Sequence, residues 1–401
     1  MRNAAVRSLF MVWALVGASS LLVAQEPQTR EAVIEEQQAA KVPTLKPYQP
    51  NAGEAWAQRA EDILTSGGTT FHPFFESAYS GGGFTLGAGY MRHISPFNFI
   101  DIRGSYTVLG YKRIETEFVA PRLFERRGHL SVIGGWREAT DVNFYGIGIQ
   151  TSKEDRTSFQ FQQPYLAGLL TFWPTRKLLM LRGGAEYSQW KQGPGEGDDP
   201  SVESVFPPGA LPGLGATINY LHTQGTVAFD SRTSPGYSRR GTYAGVTLHD
   251  FADTDDEFGF ERVDYEAIQH IPILRETWTI SLRALASTTH QRSGEAIPFF
   301  MLPSLGGGSN LRGYSSWRFR DRNSLLMQGE WRIMVNRYLD TAFFYDTGTV
   351  APEPSDLDLG DLKHDYGFGI RFHGPFATPL RIEVAKSPEG LHFVFSSSAV
   401  F

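Results

Sequence analysis

Segments of about ten residues that alternate apolar and polar side chains run through most of this sequence, and they constrain its fold more than any other feature. In LLMQGEWRI, for example, Leu325, Met327 and Trp331 fall on one face of a strand, whereas Gln328 and Glu330 fall on the other. Successive side chains of a strand point to opposite faces. Because Gly, Pro, Asn and Asp separate these segments, the pattern predicts an all-β chain of short strands.

The connections between these segments indicate which all-β fold is present. Alternation alone fits a soluble sandwich and a transmembrane barrel equally, because each has one apolar and one polar strand face. Every second link is mostly short, as at 94–96 and 174–176, while the intervening links include long polar ones such as 191–214 and 349–363. Short turns at one end and long loops at the other are typical of an outer-membrane barrel.

We therefore predict a transmembrane antiparallel β-barrel over residues 71–401, located in the bacterial outer membrane. It has about sixteen strands, an even number as bacterial barrels use. The predicted strands are 71–79, 83–93, 97–107, 112–121, 128–137, 158–173, 177–190, 215–228, 241–250, 258–270, 276–289, 322–334, 338–348, 364–374, 378–386 and 391–401. Aromatic residues near strand ends are expected at the two membrane interfaces: Trp173, Trp190, Tyr338 and Phe401.

The first 70 residues differ from the rest in composition. Residues 1–24 have a basic start and an apolar core that ends in small residues, which predicts a secretory signal peptide; a retained membrane anchor is the alternative. Residues 25–70 are polar and poor in β-formers, which predicts a periplasmic linker with room for one short helix at 55–64. After residue 24, no stretch reaches the roughly 18 apolar residues that a membrane helix requires.

The composition also excludes several kinds of site. There is no cysteine, which rules out disulfides and cysteine-ligated metals, and a net charge of −6 provides no basic field for nucleic acid. The acidic run 253–257 lacks the spacing of a calcium loop, and the glycines of 81–89 lie in a hairpin and do not precede a helix. The histidines and serines form no hydrolase or metalloprotease motif, so we expect no catalytic residues, no metal and no cofactor.

The glycine- and arginine-rich stretch GGGSNLRGYSSWRFRDRN lies in the long link before the twelfth predicted strand. It resembles the sixth outer loop of the BamA/TamA outer-membrane assembly superfamily, also called the bacterial surface antigen family. The loop motif of that family corresponds here to Leu311, Arg312, Gly313 and Tyr314. The strand motif F-x-D-x-G of that family corresponds to Phe344, Tyr345, Asp346, Thr347 and Gly348. Weaker similarities occur at 229–243 and 143–148.

The resemblance implies that this loop folds back into the barrel lumen and contacts the wall. Arg312 would then be remote from water and would need carboxylate acceptors, for which Asp346 and Glu330 are the candidates. Phe344 and Gly348 share the strand face of Asp346. Gly306, Gly307 and Gly308 would let the loop turn and approach the wall closely. The alternative is that Arg312 is an ordinary surface arginine and Asp346 an ordinary turn acid.

The resemblance further implies a role in the insertion or translocation of proteins at the outer membrane. The closing aromatic residues Phe393, Phe395 and Phe401 resemble the terminal signal that is recognised when barrels are assembled. Residues 25–70 do not hold a periplasmic POTRA module, which family members with this activity carry before the barrel. The expected contacts are outer-membrane lipid and lipopolysaccharide, with client proteins and a separate periplasmic partner left open. The alternatives are a structural or channel-forming barrel and, less favoured, an outer-membrane enzyme.

Overall fold

The computed structural model describes residues 70–175, 178–374, 378, 380–397 and 400–401. The signal peptide predicted for 1–24, the linker predicted for 25–70 (apart from its last residue) and the helix predicted at 55–64 lie outside the described residues. In the described part of the chain, no helix is long and apolar enough to cross a membrane.

Sixteen strands form one antiparallel sheet in which neighbours in sequence are neighbours in space, apart from a two-stranded insertion between β11 and β14. The strands are β1 (Phe71–Pro73), β2 (Thr85–His93), β3 (Phe99–Thr107), β4 (Lys112–Arg122), β5 (Gly128–Phe144), β6 (Thr157–Phe172), β7 (Leu179–Pro194), β8 (Thr217–Asp230), β9 (Gly241–Asp253), β10 (Phe260–Ile273), β11 (Trp278–Gln291), β12 (Ser304–Leu305), β13 (Phe319–Arg320), β14 (Asn323–Asn336), β15 (Leu339–Ala351), β16 (Lys363–Phe372), β17 (Leu380–Ser387) and β18 (Gly390–Ser396). Short helical turns occur at Leu123–Arg126, Val202–Val205, Phe299–Met301 and Pro354–Asp356. The predicted all-β barrel of about sixteen strands is confirmed.

The two faces of the sheet have the polarity of a membrane barrel. In β15, Phe343 and Tyr345 are exposed while Asp346 is fully buried. In β16, Phe368 is exposed while Arg371 is buried. Apolar side chains thus point outward and charged ones inward, which is the inverse of a soluble sandwich and is what surrounding lipid requires.

Successive connections lie at opposite ends of the barrel, because consecutive strands are antiparallel. One end carries the turns 94–98, 123–127, 231–240, 274–277 and 337–338. The other end carries the longer links 145–156, 195–216, 292–322 and 352–362. The end with the mostly short turns faces the periplasm, and the end with the longer links faces outward.

A cluster of apolar side chains lies in the outer half of the lumen, and the buried Arg320 packs against it. The long links contribute Leu211, Phe299 and Phe300, which pack with wall residues such as Phe159. The ring centroids of Phe159 and Phe299 are 5.0 Å apart, and Trp190 stacks on Phe300 at 5.9 Å. We call this cluster the apolar cap. The prediction that Trp190 lies at the membrane interface is wrong, because its position in β7 points inward.

The first predicted strand, 71–79, is too long. After β1 ends at Pro73, the amide of Phe74 still donates to the carbonyl of Gly87 at 2.9 Å, and the chain then enters the lumen. There the Tyr79 ring packs 4.1 Å from Phe161. The guanidinium of Arg137 lies 4.4 Å from the same ring. These interactions bury an aromatic side chain inside the barrel, and an alternating pattern cannot distinguish this position from one in the wall.

The last predicted strand, 391–401, is also too long, since β18 ends at Ser396. Phe393 and Phe395 are highly exposed on the lipid face of β18. The Phe401 ring is stacked 6.2 Å from the ring of His270, which is buried on the inner face of β10. The prediction of an interfacial position for Phe401 is therefore wrong; its role as part of an assembly signal stays a prediction.

The outward face of β9 provides a test of which surface meets lipid. Val246 is partly exposed near the middle of this strand. Val246→Lys should lower the free energy of unfolding by about 2–4 kcal/mol, because a charge then faces hydrocarbon near the bilayer midplane. Val246→Ala, which only removes apolar area, should cost about 1 kcal/mol. Urea unfolding in liposomes measures both, and equal costs for the two variants would contradict the assignment of this face.

Candidate functional site

The link 292–322 turns back on itself through a small hairpin. Leu305 of β12 pairs with Phe319 of β13. Gly306 and Gly307 follow with φ angles of +112° and +109°, a backbone region that L side chains rarely adopt. Gly308 has no such φ, but its carbonyl accepts a hydrogen bond from the wall. Of the three glycines expected to let the loop turn and approach the wall, two thus lie in a left-handed turn and one lies against the wall.

Arg312 is fully buried and is bound by three carboxylates from the wall. Its Nε and Nη2 donate to the two oxygens of Asp346 at 2.6 and 2.8 Å. Its Nη1 donates to Glu330 at 3.1 Å and to Glu383 at 3.2 Å. The Phe344 ring lies 3.4 Å from the guanidinium carbon, in a cation–π contact. Both carboxylates named from the sequence, Asp346 and Glu330, thus contact Arg312.

Further charges of the wall extend this site into a buried network, which we call the loop clamp. Arg371 donates to Glu330 and, at 2.8 Å, to Glu383. Arg381 donates to Glu383 at 3.0 Å and to the carbonyl of Gly308 at 2.7 Å. With Arg312 and Asp346, three guanidinium groups thereby face three carboxylates, and the buried Arg332 lies 3.6 Å from Glu330. Paired charges are required here because an uncompensated charge in a dry interior is strongly destabilising.

The charge of Arg312 is maintained by this environment. Burial lowers the pKa of its guanidinium, but the carboxylates, with Asp346 contributing most, raise that pKa above its ordinary value. The side chain therefore remains a cation.

The sequence does not identify Glu383, Arg371 or Arg381 as part of the site around Arg312. All three belong to the charged faces of their strands in the alternating pattern of β16 and β17. The pattern places them in the lumen, but it does not indicate which lumen charges meet, since that depends on the path of the loop.

The remaining motif residues of the loop fill the space around the clamp. Leu311 and Tyr314 are buried in a second apolar cluster that includes Leu326 of the wall. The Tyr314 hydroxyl donates to the carbonyl of His364 at 3.3 Å. Gly313 lies against the wall so closely that an added Cβ would be 3.1 Å from the Cβ of Ser387.

Gly348 of the strand motif also permits a close approach between loop and wall. A Cβ at this position would lie 2.9 Å from the Leu305 side chain and 2.6 Å from the Leu325 carbonyl oxygen. The glycine therefore leaves room for the loop hairpin on the inner face of β15.

A second attachment, not foreseen from the sequence, joins the loop to the final hairpin. The buried Arg318 donates through Nε to both carboxylate oxygens of Glu389, at 2.9 and 3.0 Å. It also donates to the hydroxyl of Thr151, in the link between β5 and β6, at 2.8 Å. Arg318 thus connects the β17–β18 turn to a loop on another part of the wall.

Histidine and carboxylate side chains meet elsewhere in the lumen without forming a metal centre. The ring nitrogens of His222 and His249 are 3.0 Å apart, and His249 lies 3.2 Å from Asp264. Among the described residues, no group of three or more histidine, aspartate or glutamate side chains is arranged to hold a metal ion.

Comparison with known proteins assigns the family. The profile of the Omp85 superfamily domain matches residues 98–396, which is most of the chain. The chain belongs to the Omp85 superfamily. This superfamily comprises outer-membrane barrels that insert or translocate proteins, so the resemblance inferred from the loop and strand motifs is confirmed. The outer membrane of Gram-negative bacteria is accordingly where this barrel resides.

Solved structures show the same fold. The barrel is similar to BamA from Haemophilus ducreyi lacking POTRA domains 1–3, with a TM-score of 0.58 and 16% identity over 80% of this chain and 68% of that one. It is also similar to CdiB from Escherichia coli, with a TM-score of 0.51 and 11% identity over 79% of this chain and 59% of that one. At these identities the similarity concerns the fold alone. No curated protein sequence matches the chain.

Removal of the buried cation tests the loop clamp. Arg312→Ala should lower the free energy of unfolding by about 3–5 kcal/mol, because three carboxylates lose their shared partner. The loss should appear as a lower temperature for the gel-mobility shift of the folded barrel and as a lower urea midpoint. The control Arg156→Ala removes a partly exposed arginine paired with Asp199 and should cost less than about 1 kcal/mol. Equal stability of the two variants would contradict the clamp.

The close approach of the loop provides a separate test. Gly313→Ala should destabilise the barrel by about 1–3 kcal/mol, because a methyl group would overpack the contact with the wall. Gly168→Ala is the matched control, since a Cβ at Gly168 meets nothing within 4 Å. Thermal melts of both variants decide the point; a tolerated Gly313→Ala would show that the loop is not held against the wall.

Proposed function

We propose that this barrel assists the insertion of proteins into the outer membrane at the seam between β1 and β18. The observation that carries the proposal is the weakness of this seam. β1 has only three residues and pairs with β2. Among the described residues, no ladder joins β1 to the seven-residue β18. Unpaired strand edges are costly in lipid, and an incoming strand can satisfy them by pairing with the edge.

The loop contacts support a rigid wall beside this seam. The clamp joins Arg312 to Glu330 of β14, Asp346 of β15 and Glu383 of β17. Arg318 holds the turn between β17 and β18 through Glu389. An edge strand that is fixed by such contacts would present its backbone groups in a constant geometry, which is suited to templating the strand of a client.

The turn 231–240 crosses the periplasmic opening. The contacts of this turn favour a route for client proteins through the wall of the barrel over one through its lumen. The Tyr237 hydroxyl donates to Asp340 at 2.6 Å, and the Tyr237 ring stacks 3.9 Å from the ring of His373. Arg332 also donates to the carbonyl of Ser238. With the apolar cap in the outer half, both ends of the lumen are obstructed. This supports insertion at the seam in preference to translocation through the pore.

The second candidate is a structural barrel without assembly activity, and the same braced lumen is compatible with it. A channel is less favoured, because the cap and the crossing turn fill the path. Client proteins, a periplasmic partner and contact with lipopolysaccharide belong to the proposal, as does the organisation into a signal peptide (1–24), a linker (25–70) and a barrel (71–401). We propose no catalytic role.

Liposomes that contain the purified protein test the insertion activity. They should accelerate the insertion of a urea-denatured test barrel relative to empty liposomes, as measured by protease protection and gel mobility. The chain has no cysteine, so a disulfide between one cysteine placed in β1 and one in β18 can close the seam alone. This cross-link should abolish the acceleration, and reductant should restore it.

The matched control places the disulfide within the wall. Val246 and Tyr265 face each other across β9 and β10, and a cross-link between cysteines at these positions should leave the acceleration unchanged. Without any acceleration by the reduced protein, the structural alternative would stand. Acceleration that persists with the seam closed would overturn the proposed route.

A further inference from the structure

The two ends of the barrel carry exposed charges of opposite sign. At the outward end the exposed charged residues of the long links are mainly acidic, including Asp198, Asp255, Asp256, Glu257, Glu353, Asp356 and Asp358. At the periplasmic end, six exposed arginines of the described chain lie in the turns or at the adjoining strand ends. Arg240 is paired with Glu276, and the other five are Arg92, Arg122, Arg126, Arg275 and Arg337. We call these five the rim arginines. They come from four separate strand connections, so positive charge is spread around this end of the barrel.

The charges of the rim arginines are not balanced by carboxylates of the described chain. Within the described ranges, none of the five forms an ion pair with a carboxylate. Acidic groups are few at this end, and the two that lie nearest in sequence have other arginine neighbours: Glu125 lies 3.8 Å from Arg127, and Glu276 lies 3.6 Å from Arg240. Uncompensated guanidinium groups are therefore available to an anionic partner.

Exposed apolar side chains accompany these arginines. The Arg122 guanidinium lies 3.8 Å above the ring of Phe97, and that of Arg337 lies 4.4 Å from the ring of Tyr338. Arg275 follows Leu274, whose side chain is 60% exposed. Aromatic and aliphatic groups beside basic tips are typical of the boundary between hydrocarbon and headgroups, where the body of the side chain lies in the apolar layer and the charge reaches the polar one.

We propose that the rim arginines bind the phosphodiester headgroups of anionic phospholipids in the periplasmic leaflet. A guanidinium fork can donate two parallel hydrogen bonds to the oxygens of one phosphate. Lipid surrounds the whole circumference of the barrel, which matches arginines dispersed over four connections. An acidic protein would instead require one contiguous basic patch. The proposal is independent of the insertion activity.

Lipid selection by the purified barrel tests the proposal. The full chain is incorporated into nanodiscs of phosphatidylglycerol and phosphatidylcholine, and the lipids retained after mild detergent extraction are counted by native mass spectrometry. We expect enrichment of phosphatidylglycerol that falls at high salt. The triple variant Arg126→Gln, Arg275→Gln, Arg337→Gln should lower this enrichment by at least about tenfold, because one arginine near an anionic surface changes partitioning by about fivefold.

The control variant removes three positive charges from the outward end, which is the same change in net charge: Lys153→Gln, Arg156→Gln and Arg292→Gln. It should retain the enrichment of the unmodified barrel. A similar loss in both triple variants would show that only net charge matters and would overturn the proposal. So would an unmodified barrel that shows no preference for phosphatidylglycerol. Gel mobility of the folded form verifies that every variant is a barrel before lipids are counted.

Discussion

A single buried guanidinium organises the C-terminal third of this barrel. Arg312 has no access to water, so its charge must be met by acceptors that the wall supplies. Those acceptors come from β14, β15 and β17, and Arg371 of β16 contacts two of them. One loop residue thereby joins four consecutive strands. The left-handed glycine turn, the hairpin of β12 and β13 and the close contact at Gly313 all serve to deliver this one side chain.

The polarity of the sheet follows from a second constraint. Lipid accepts neither unpaired backbone groups nor charges, so the strands pair along their length and turn their charged faces inward. Charged side chains then line the lumen, and water alone does not fill it. Protein segments pack there: the apolar cap in the outer half, Arg312 against the wall, and the turn 231–240 at the periplasmic opening. Among the described residues, the seam is a weak place in this arrangement, since the first strand is short and the chain beyond Pro73 enters the lumen.

Much of the fold could be predicted from the sequence, because two independent patterns agree: the alternation of apolar and polar residues, and the alternation of short and long links. Alternation defined the strands, and the lengths of the links defined the two ends. The order of the loop motif and the strand motif identified Arg312 and two of its acceptors, Asp346 and Glu330.

The rest depended on the paths of segments within the lumen. Alternation reports which side chains point inward, but it does not distinguish a wall residue from a residue that crosses the interior. For that reason the sequence pattern predicts a strand at Tyr79 and an interfacial position for Trp190 and Phe401, and it does not connect Glu383 with Arg312. Each of these outcomes is decided by contacts between segments that are distant in sequence.

The separation in sequence of these contacts distinguishes two parts of the loop. Arg312 meets acceptors 18, 34 and 71 residues away, all within the C-terminal strands. Arg318 and Trp317 meet partners 167 and 237 residues away, in the first half of the chain. Closing a short loop costs less conformational entropy than closing a long one, and local contacts form earlier in folding than distant ones. The clamp therefore closes shorter segments of chain, all within the C-terminal strands, whereas these outer contacts of the loop also require the first half of the chain to be in place.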